Sequence, residues 1–299
     1  MRRFPLNADH REAAQAWADF GERTPSKPRH ASSVVLLKDS PSGLQTFMTY
    51  RPGGSPLGTV AFPGGTVETA DDDVTDWVGP SPVAWAKSLG TDDISLAKRH
   101  VVAAIREMFE ETGILLAGPD ASSLVESISG QEWMRARESI ATQESTFGTL
   151  LERYGLALRT DLLKPLSHWT SPDFAHRRFD VRYFAAARPV NQELSLLSSK
   201  GVWGRWVSAA EVVAARGGSA LGDEIDQPNT VGMHLEELVV PGVEIILEKI
   251  AAARGCIAYL NHKRPINKYQ PTLVVDADGQ FCLEVPATPA SEGAACRER

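Results

Sequence analysis

The chain has 299 residues, 42% of them hydrophobic and 23% charged, with a net charge of −7 at neutral pH. That length suits one large α/β domain with extensions, or two small domains. The balance excludes collagen-like, coiled-coil and wholly disordered chains, and the negative charge argues against a basic nucleic-acid-binding surface. The cysteines Cys256, Cys282 and Cys296 all lie late in the chain. Their odd count and spacing fit neither a disulfide framework nor a metal site, and point to a reducing cytoplasm. No apolar run approaches the roughly 18 residues that a bilayer-spanning helix needs. No hydrophobic segment follows Met1, Arg2 and Arg3 to make a signal peptide.

Taken in chain order, residues 1–29 read as an N-terminal helix and linker. A helix over 9–20 would carry Ala13, Ala16, Trp17 and Phe20 on one face, to pack on the domain edge or to meet a second copy in a homodimer. Gly21 and the stretch up to Pro28 break it. Residues 33–38 and 46–51 read as strands joined by a turn over 39–43. A Gly/Pro-rich loop over 52–58 then leads to Val60, Ala61 and Phe62. Residues 69–93 are acidic and read as an irregular insert with small apolar parts at Trp77 and Trp85. The strongest helix signal covers 94–112, where Ile94, Ala97, Val101, Ala104, Ile105 and Met108 recur at helical spacing. Asp92 or Asp93 would cap its start and Gly113 its end.

Ile114, Leu115 and Leu116 return to the core, and 122–155 hold two or three further helices. Strands follow over 162–169, 178–186 and 202–206, with Ser208 capping a short helix over 209–215. Residues 236–253 contain the last helix, and 272–275 with 281–285 form a hairpin across 276–279. The organisation expected is a main domain over 30–255, an extension over 256–286 packing on it, and a disordered tail over 287–299.

Two stretches read as halves of one motif. The first is Phe62, Pro63, Gly64 and Gly65; the second runs from Arg106 to Gly113 and places carboxylates at Glu107, Glu110 and Glu111. On a helix those three lie side by side. Like charges so close destabilise a helix and raise one another's pKa, so a cation is needed to neutralise them. Hard oxygen ligands suit Mg²⁺ or Mn²⁺, which work together with substrate phosphates. The residues therefore point to metal-assisted phosphate chemistry.

This pairing resembles the Nudix box of the Nudix hydrolases: a glycine, an acid six residues on, and Arg-Glu-x-x-Glu-Glu-x-Gly. Gly65 supplies the glycine, Asp71 stands where the family usually has Glu, and a long insert, about 69–93, splits the box. The resemblance implies an α/β fold, a Nudix-fold α/β/α sandwich with a mixed β-sheet, the insert and a C-terminal extension. It implies an enzyme, a diphosphatase that cleaves a nucleoside diphosphate linked to another moiety with Mg²⁺ or Mn²⁺. Glu107, Glu110 and Glu111 would be catalytic metal ligands, with Gly64 contributing to the metal site, and Arg106 would orient a glutamate. The split box, Trp77, the run Trp169 to Pro172 and the run Arg177 to Asp180 are similar to the peroxisomal coenzyme A diphosphatase branch. Coenzyme A or acyl-coenzyme A is thus the leading substrate, followed by ADP-ribose, NADH and dinucleoside polyphosphates. Thr49, Tyr50 and Arg51 match part of a coenzyme A signature whose second Arg is absent here. The rival is a non-catalytic binding or regulatory module of the same fold, favoured by Gly201, which stands where many members carry a Glu.

The substrate-binding candidates are Arg51, Arg177, Arg178, Phe62, Gly64 and Gly65. Arg177 and Arg178 would begin a strand and point to opposite faces, one gripping a phosphate or pairing with Asp173 or Asp180. Asp71, Asp72 and Asp73 read as a solvated loop, with Asp71 a ligand by alignment only. Lys263, Arg264 and Lys268 read as a solvated basic surface. Trp169, Phe174 and Trp203 read as core rather than as platforms for a base. The partner expected is a small nucleotide-derived molecule, with no nucleic acid and no membrane.

Overall fold

The computed structural model describes residues 1–6, 8–20, 24–53, 55–126, 130–197 and 201–286. The tail expected to be disordered lies outside them. The chain begins β1 (Arg2–Pro5), α1 (Ala8–Asp19), β2 (Arg29–Ser40), β3 (Gly43–Tyr50), β4 (Val60–Ala61) and β5 (Gly64–Thr66). A 3₁₀ turn (Thr69–Asp73), β6 (Trp77–Val78), α2 (Pro82–Leu89) and α3 (Ile94–Thr112) follow. Next come β7 (Ala117–Gly118), α4 (Gln131–Ala141), α5 (Phe147–Tyr154), β8 (Ala157–Arg159), β9 (Lys164–Thr170), β10 (Phe179–Ala187) and β11 (Gly204–Ser208). The chain then runs through α6 (Ala209–Ala214), α7 (Ala220–Ile225), α8 (Leu235–Leu238), α9 (Pro241–Ala251), α10 (Cys256–Asn261), β12 (Lys268–Tyr269), β13 (Thr272–Val275) and β14 (Phe281–Val285).

The central sheet has the order β11-β3-β2-β10-β9-β12, with β4 beside β3 and β5 beside β2. It is mixed: β2 runs parallel to β10 and antiparallel to β3. Residues 31–37 of β2 are buried without a break, as a strand covered on both faces requires. Its alternate side chains feed two cores. Ala31, Val35 and Leu37 pack with Leu235, Val243, Ile246 and Leu247. Val34 and Leu36 pack with Trp85, Val101, Ile105, Met108 and Phe147 on the other side. Helices on both faces of a mixed sheet make the α/β/α sandwich expected from the sequence.

The long helix α3 has the predicted limits. Asp93 caps it by accepting a hydrogen bond from the Leu96 amide (2.8 Å), and Gly113 ends it at φ +75°. Ile94, placed on the apolar face by periodicity, is 45% exposed, and Ser95 beside it in the first turn is exposed too. Its lower half is buried on every side, charged residues included.

Three readings need correction. The insert is ordered rather than irregular: Asp73, Asp76, Asp92 and Asp93 are exposed, while Asp71 is buried and Val74, Trp85, Ala86 and Leu89 enter the core. The Trp85 ring meets Phe184 edge-on at 6.0 Å, and α2 carries its own caps, Ser81 and Gly90. The helix at Pro241–Ala251 is not the last, since α10 follows it. On α1 the buried pair is Ala13 and Ala14, whereas Phe20 lies past the helix end and is exposed.

Arg2–Pro5 and Phe281–Val285, far apart in sequence, join one small sheet, β1-β14-β13. Phe4, Leu283 and Val285 from it, with Leu6 just after β1, join the first core. Among the described residues no helix is long and apolar enough to cross a membrane.

Candidate active site

The Phe62-to-Gly65 turn lies against β2. Gly64 and Gly65 pair with Ser33 and Ser32 in an antiparallel register. A Cβ on Gly64 would stand 2.6 Å from the Ser33 Cα, so only glycine lets this backbone lie so close. A Cβ on Gly65 would stand 2.5 Å from the Glu107 carboxyl carbon. The turn is therefore a cradle whose missing side chains leave room for the carboxylate of α3.

Arg106 organises the acids. Its Nη1 donates to Glu107 Oε1 at 3.0 Å and to Glu110 Oε1 at 2.9 Å. Nε donates to Asp71 Oδ1 at 2.7 Å, and Nη2 to Asp71 Oδ2 at 3.2 Å and the Thr66 carbonyl at 2.8 Å. All five charged or carbonyl acceptors are met by one planar fork, which is the geometry that arginine supplies and lysine does not. Burial works against the guanidinium charge, but Glu107 and Asp71 outweigh it and raise the Arg106 pKa. Burial pushes the Asp71 carboxyl up, with the Arg106 hydrogen bonds pulling it back.

Arg51, just past the end of β3, reaches the same place. Its Nη2 donates to Glu111 Oε1 at 2.6 Å, to the Gly64 carbonyl at 2.7 Å and to the Phe62 carbonyl at 3.3 Å. Its buried Nε has no hydrogen-bond partner. The structure thus gathers Gly64, Gly65, Arg51, Arg106, Glu107, Glu110 and Glu111, with Asp71 behind Arg106. A groove of about 430 Å³ opens beside them, lined by Arg29, Thr66, Glu68, Asp71, Arg106 and Gln143 among others.

Other candidates fall elsewhere. The Phe62 ring is fully buried and meets Tyr183 at 6.4 Å, so it is core and only its carbonyl faces the site. Arg177 and Arg178 precede β10 rather than begin it. Arg178 is bound to Asp173 (2.6 Å) and to the Ser26 carbonyl (2.7 Å), a structural clasp that withdraws it from substrate. Arg177 is exposed. Asp71 is not loop surface: it is buried, and its carboxylate is engaged by Arg106 rather than presented as a ligand. Trp169, Phe174 and Trp203 are core. Lys268 pairs with Asp180 at 3.5 Å, while Arg264 covers Tyr259. Gly201 has only backbone near it, with room for a Cβ at 3.8 Å from the Tyr50 carbonyl.

Among the described residues, no three His, Cys, Asp or Glu side chains already stand as a metal cage. The arginines hold the carboxylates in ion pairs instead. The donor set still fits a hard divalent cation: three carboxylates and a glycine carbonyl are all oxygen ligands. Four buried carboxylates also face two guanidiniums here, an excess of negative charge that a cation would offset. The glycine cradle keeps side-chain carbon out of that space.

No family model and no curated protein matches the chain. Solved structures do. The chain is similar to a NUDIX hydrolase from Alicyclobacillus acidocaldarius, at 18% identity and a TM-score of 0.61, over 81% of this chain and 99% of that one. A mutator MutT protein from Bacillus halodurans aligns at 11% identity and a TM-score of 0.38, over 87% and 99%. A MutT/nudix family protein from Enterococcus faecalis aligns at 13% and 0.33, over 65% of this chain and 49% of that one. The fold rests on the first of these: the chain has the Nudix fold.

Proposed function

We propose that this chain is a metal-dependent hydrolase that cleaves the diphosphate bond of a nucleoside diphosphate linked to another moiety. The observation that carries the reading is the buried meeting of Glu107, Glu110 and Glu111 with the Gly64–Gly65 turn, held by Arg106 and Arg51. Mg²⁺ or Mn²⁺ would be held by the three glutamates and the Gly64 carbonyl. When bound, the ion supplies charge neutralisation to the diphosphate and acidifies the attacking water.

The remaining roles belong to the chain. Arg106 fixes the rotamers of Glu107 and Glu110 and does not touch substrate. One of the three glutamates accepts the proton of the attacking water. Arg51 uses only Nη2 within the site, and its buried Nε is a donor for a phosphate oxygen. Positioning and charge stabilisation supply most of the rate in such reactions.

Within this class, coenzyme A or an acyl-coenzyme A is the leading substrate, on the likeness of the split box. Cleavage would give adenosine 3′,5′-bisphosphate and a phosphopantetheine. ADP-ribose, NADH and dinucleoside polyphosphates are the alternatives. The free buried thiols Cys256 and Cys282 accord with action in a reducing cytoplasm.

The test is product release from a panel of these compounds with Mg²⁺ and then Mn²⁺, on wild type and on the Glu110→Gln/Glu111→Gln double variant. Turnover that requires metal and vanishes in the double variant is expected. A folded wild type that neither turns over nor gains thermal stability from either metal would overturn the reading.

A further inference from the structure

The last glycine of the motif has a second neighbour besides its own helix. Arg137 comes from α4, outside the motif, and is among the largest fully buried side chains in the molecule. Its Nη2 donates to the Glu110 carbonyl at 2.9 Å and to the Ser195 carbonyl at 2.8 Å, and its Nη1 donates to Ser195 Oγ at 2.8 Å. A Cβ on Gly113 would stand 3.0 Å from Arg137 Nη1 and 2.9 Å from Ser195 Oγ. Gly113 therefore does more than end α3 with a positive φ; it also clears the space that the guanidinium fills.

The Ser195 amide in turn donates to the Thr112 carbonyl at 2.9 Å. Two carbonyls of the final turn of α3, at Glu110 and Thr112, are thereby satisfied from outside the helix, one by Arg137 and one by the segment that Arg137 grips. A cation at this end also complements the negative pole of the helix. Burial lowers the Arg137 pKa to about 10, with Glu110 opposing the shift, so the group stays charged at neutral pH. The Arg137 plane lies near the Phe109 ring, with its central carbon 5.9 Å from the centroid, which fixes it laterally.

We infer that Arg137 is a positioning residue: through the Glu110 and Ser195 carbonyls it locks the turn of α3 that carries Glu110 and Glu111. The inference rests on the hydrolase reading, because what it positions are the proposed metal ligands. A carboxylate pair on an unlocked final turn would present its oxygens to the cation in many arrangements, and outer partners of this kind typically change metal affinity by about 10–100-fold.

Mn²⁺ alone is the probe, measured by calorimetry on the full chain at a temperature where circular dichroism shows each variant folded. Arg137→Lys keeps the charge and loses the fork; Ser195→Ala keeps the charge and removes one acceptor. Arg137→Lys should weaken Mn²⁺ binding by about tenfold or more and Ser195→Ala by a few-fold. If both bind within twofold of wild type, Arg137 braces the fold only and the inference is overturned. If its charge alone matters, Arg137→Lys binds as wild type and Arg137→Met binds more tightly, which overturns it too. Should Arg137→Met fail to fold, the other two variants decide the matter. A wild type that binds no Mn²⁺ removes the hydrolase reading and this inference together; a binding wild type with unaltered variants removes this inference alone.

Discussion

Gly65 and Glu107 occupy complementary space: the carboxyl carbon of Glu107 sits 2.5 Å from where a Gly65 Cβ would be. The end of a glutamate can swing aside, so Gly65→Ala should displace Glu107 and leave the fold nearly intact. Activity on the best substrate should fall by roughly 100-fold, the usual consequence of an ångström's misplacement. The melting temperature should change little.

Gly64→Ala should behave differently. There the added Cβ meets Ser33 Cα, which is backbone and cannot rotate away. Overpacking of this sort costs about 1–3 kcal/mol. Urea denaturation of the two variants side by side checks the contrast, and equal midpoints would sink it.

Arg106→Met removes the one guanidinium that Asp71, Glu107 and Glu110 share. Uncompensated buried charge of this kind costs about 3–5 kcal/mol. Adding Asp71→Asn should recover part of the loss, since one stranded carboxylate disappears. A double variant less stable than Arg106→Met by itself would argue against the shared pairing.

Acid should loosen the sheet side of α3. His100 is buried there, its Nδ1 3.0 Å from Ser32 Oγ. Burial, helped by Arg182, holds its pKa down at about 3, against 6.5 for an ordinary imidazole. Below pH 6.5 the unfolded chain takes up a proton that the folded chain refuses, so stability falls as pH drops towards 3 and is flat above 6.5. The slope is about 1.4 kcal/mol per pH unit for one proton. His30 and His168, also held down chiefly by burial, add in the same sense. His100→Gln should show a shallower loss of stability between pH 7 and pH 5 than wild type.

Trp85 tests whether the insert belongs to the core. It is 2% exposed against Phe184, so Trp85→Ala should cost about 3–5 kcal/mol. A loss below about 0.5 kcal/mol, the range of surface changes, would mean that the insert is loosely held.

The strongest local signals in the sequence survive in the structure for physical reasons. The period of α3, its Asp93 and Gly113 caps and the β13–β14 hairpin are written in neighbouring residues, and their limits could be read directly. The order of the insert is less legible: Trp85 stands out as apolar, but Val74, Ala86 and Leu89, which join it in the core, are lost among the aspartates. β1 is not legible in the sequence, because Arg2–Pro5 carries no strand pattern and is recruited by β14. In the site, the motif placed Glu107, Glu110, Glu111 and both glycines, but Asp71 looked like loop surface. Its burial depends on Arg106, which is distant in sequence. For Arg178 the sequence leaves a phosphate and a pair with Asp173 or Asp180 both open; the structure shows the Asp173 pair, and only the contact with Ser26 is distant in sequence. Arg137 carried no signal, because nothing in α4 announces a side chain that will cross to the end of another helix.

The β1–β14 ladder pairs Arg2 with Val285 and Pro5 with Cys282. β1 therefore waits for a partner strand that is made long after it. Until the ribosome has released residue 285, Phe4 and Leu6 have no Leu283 and Val285 to close over them. The face of the sheet served by α9 is then sealed last, while the face served by α3 can already be complete. Such long-range closure is slow compared with local pairing. A chain interrupted before residue 281 would keep the motif and α3 but leave an apolar seam open to chaperones and proteases.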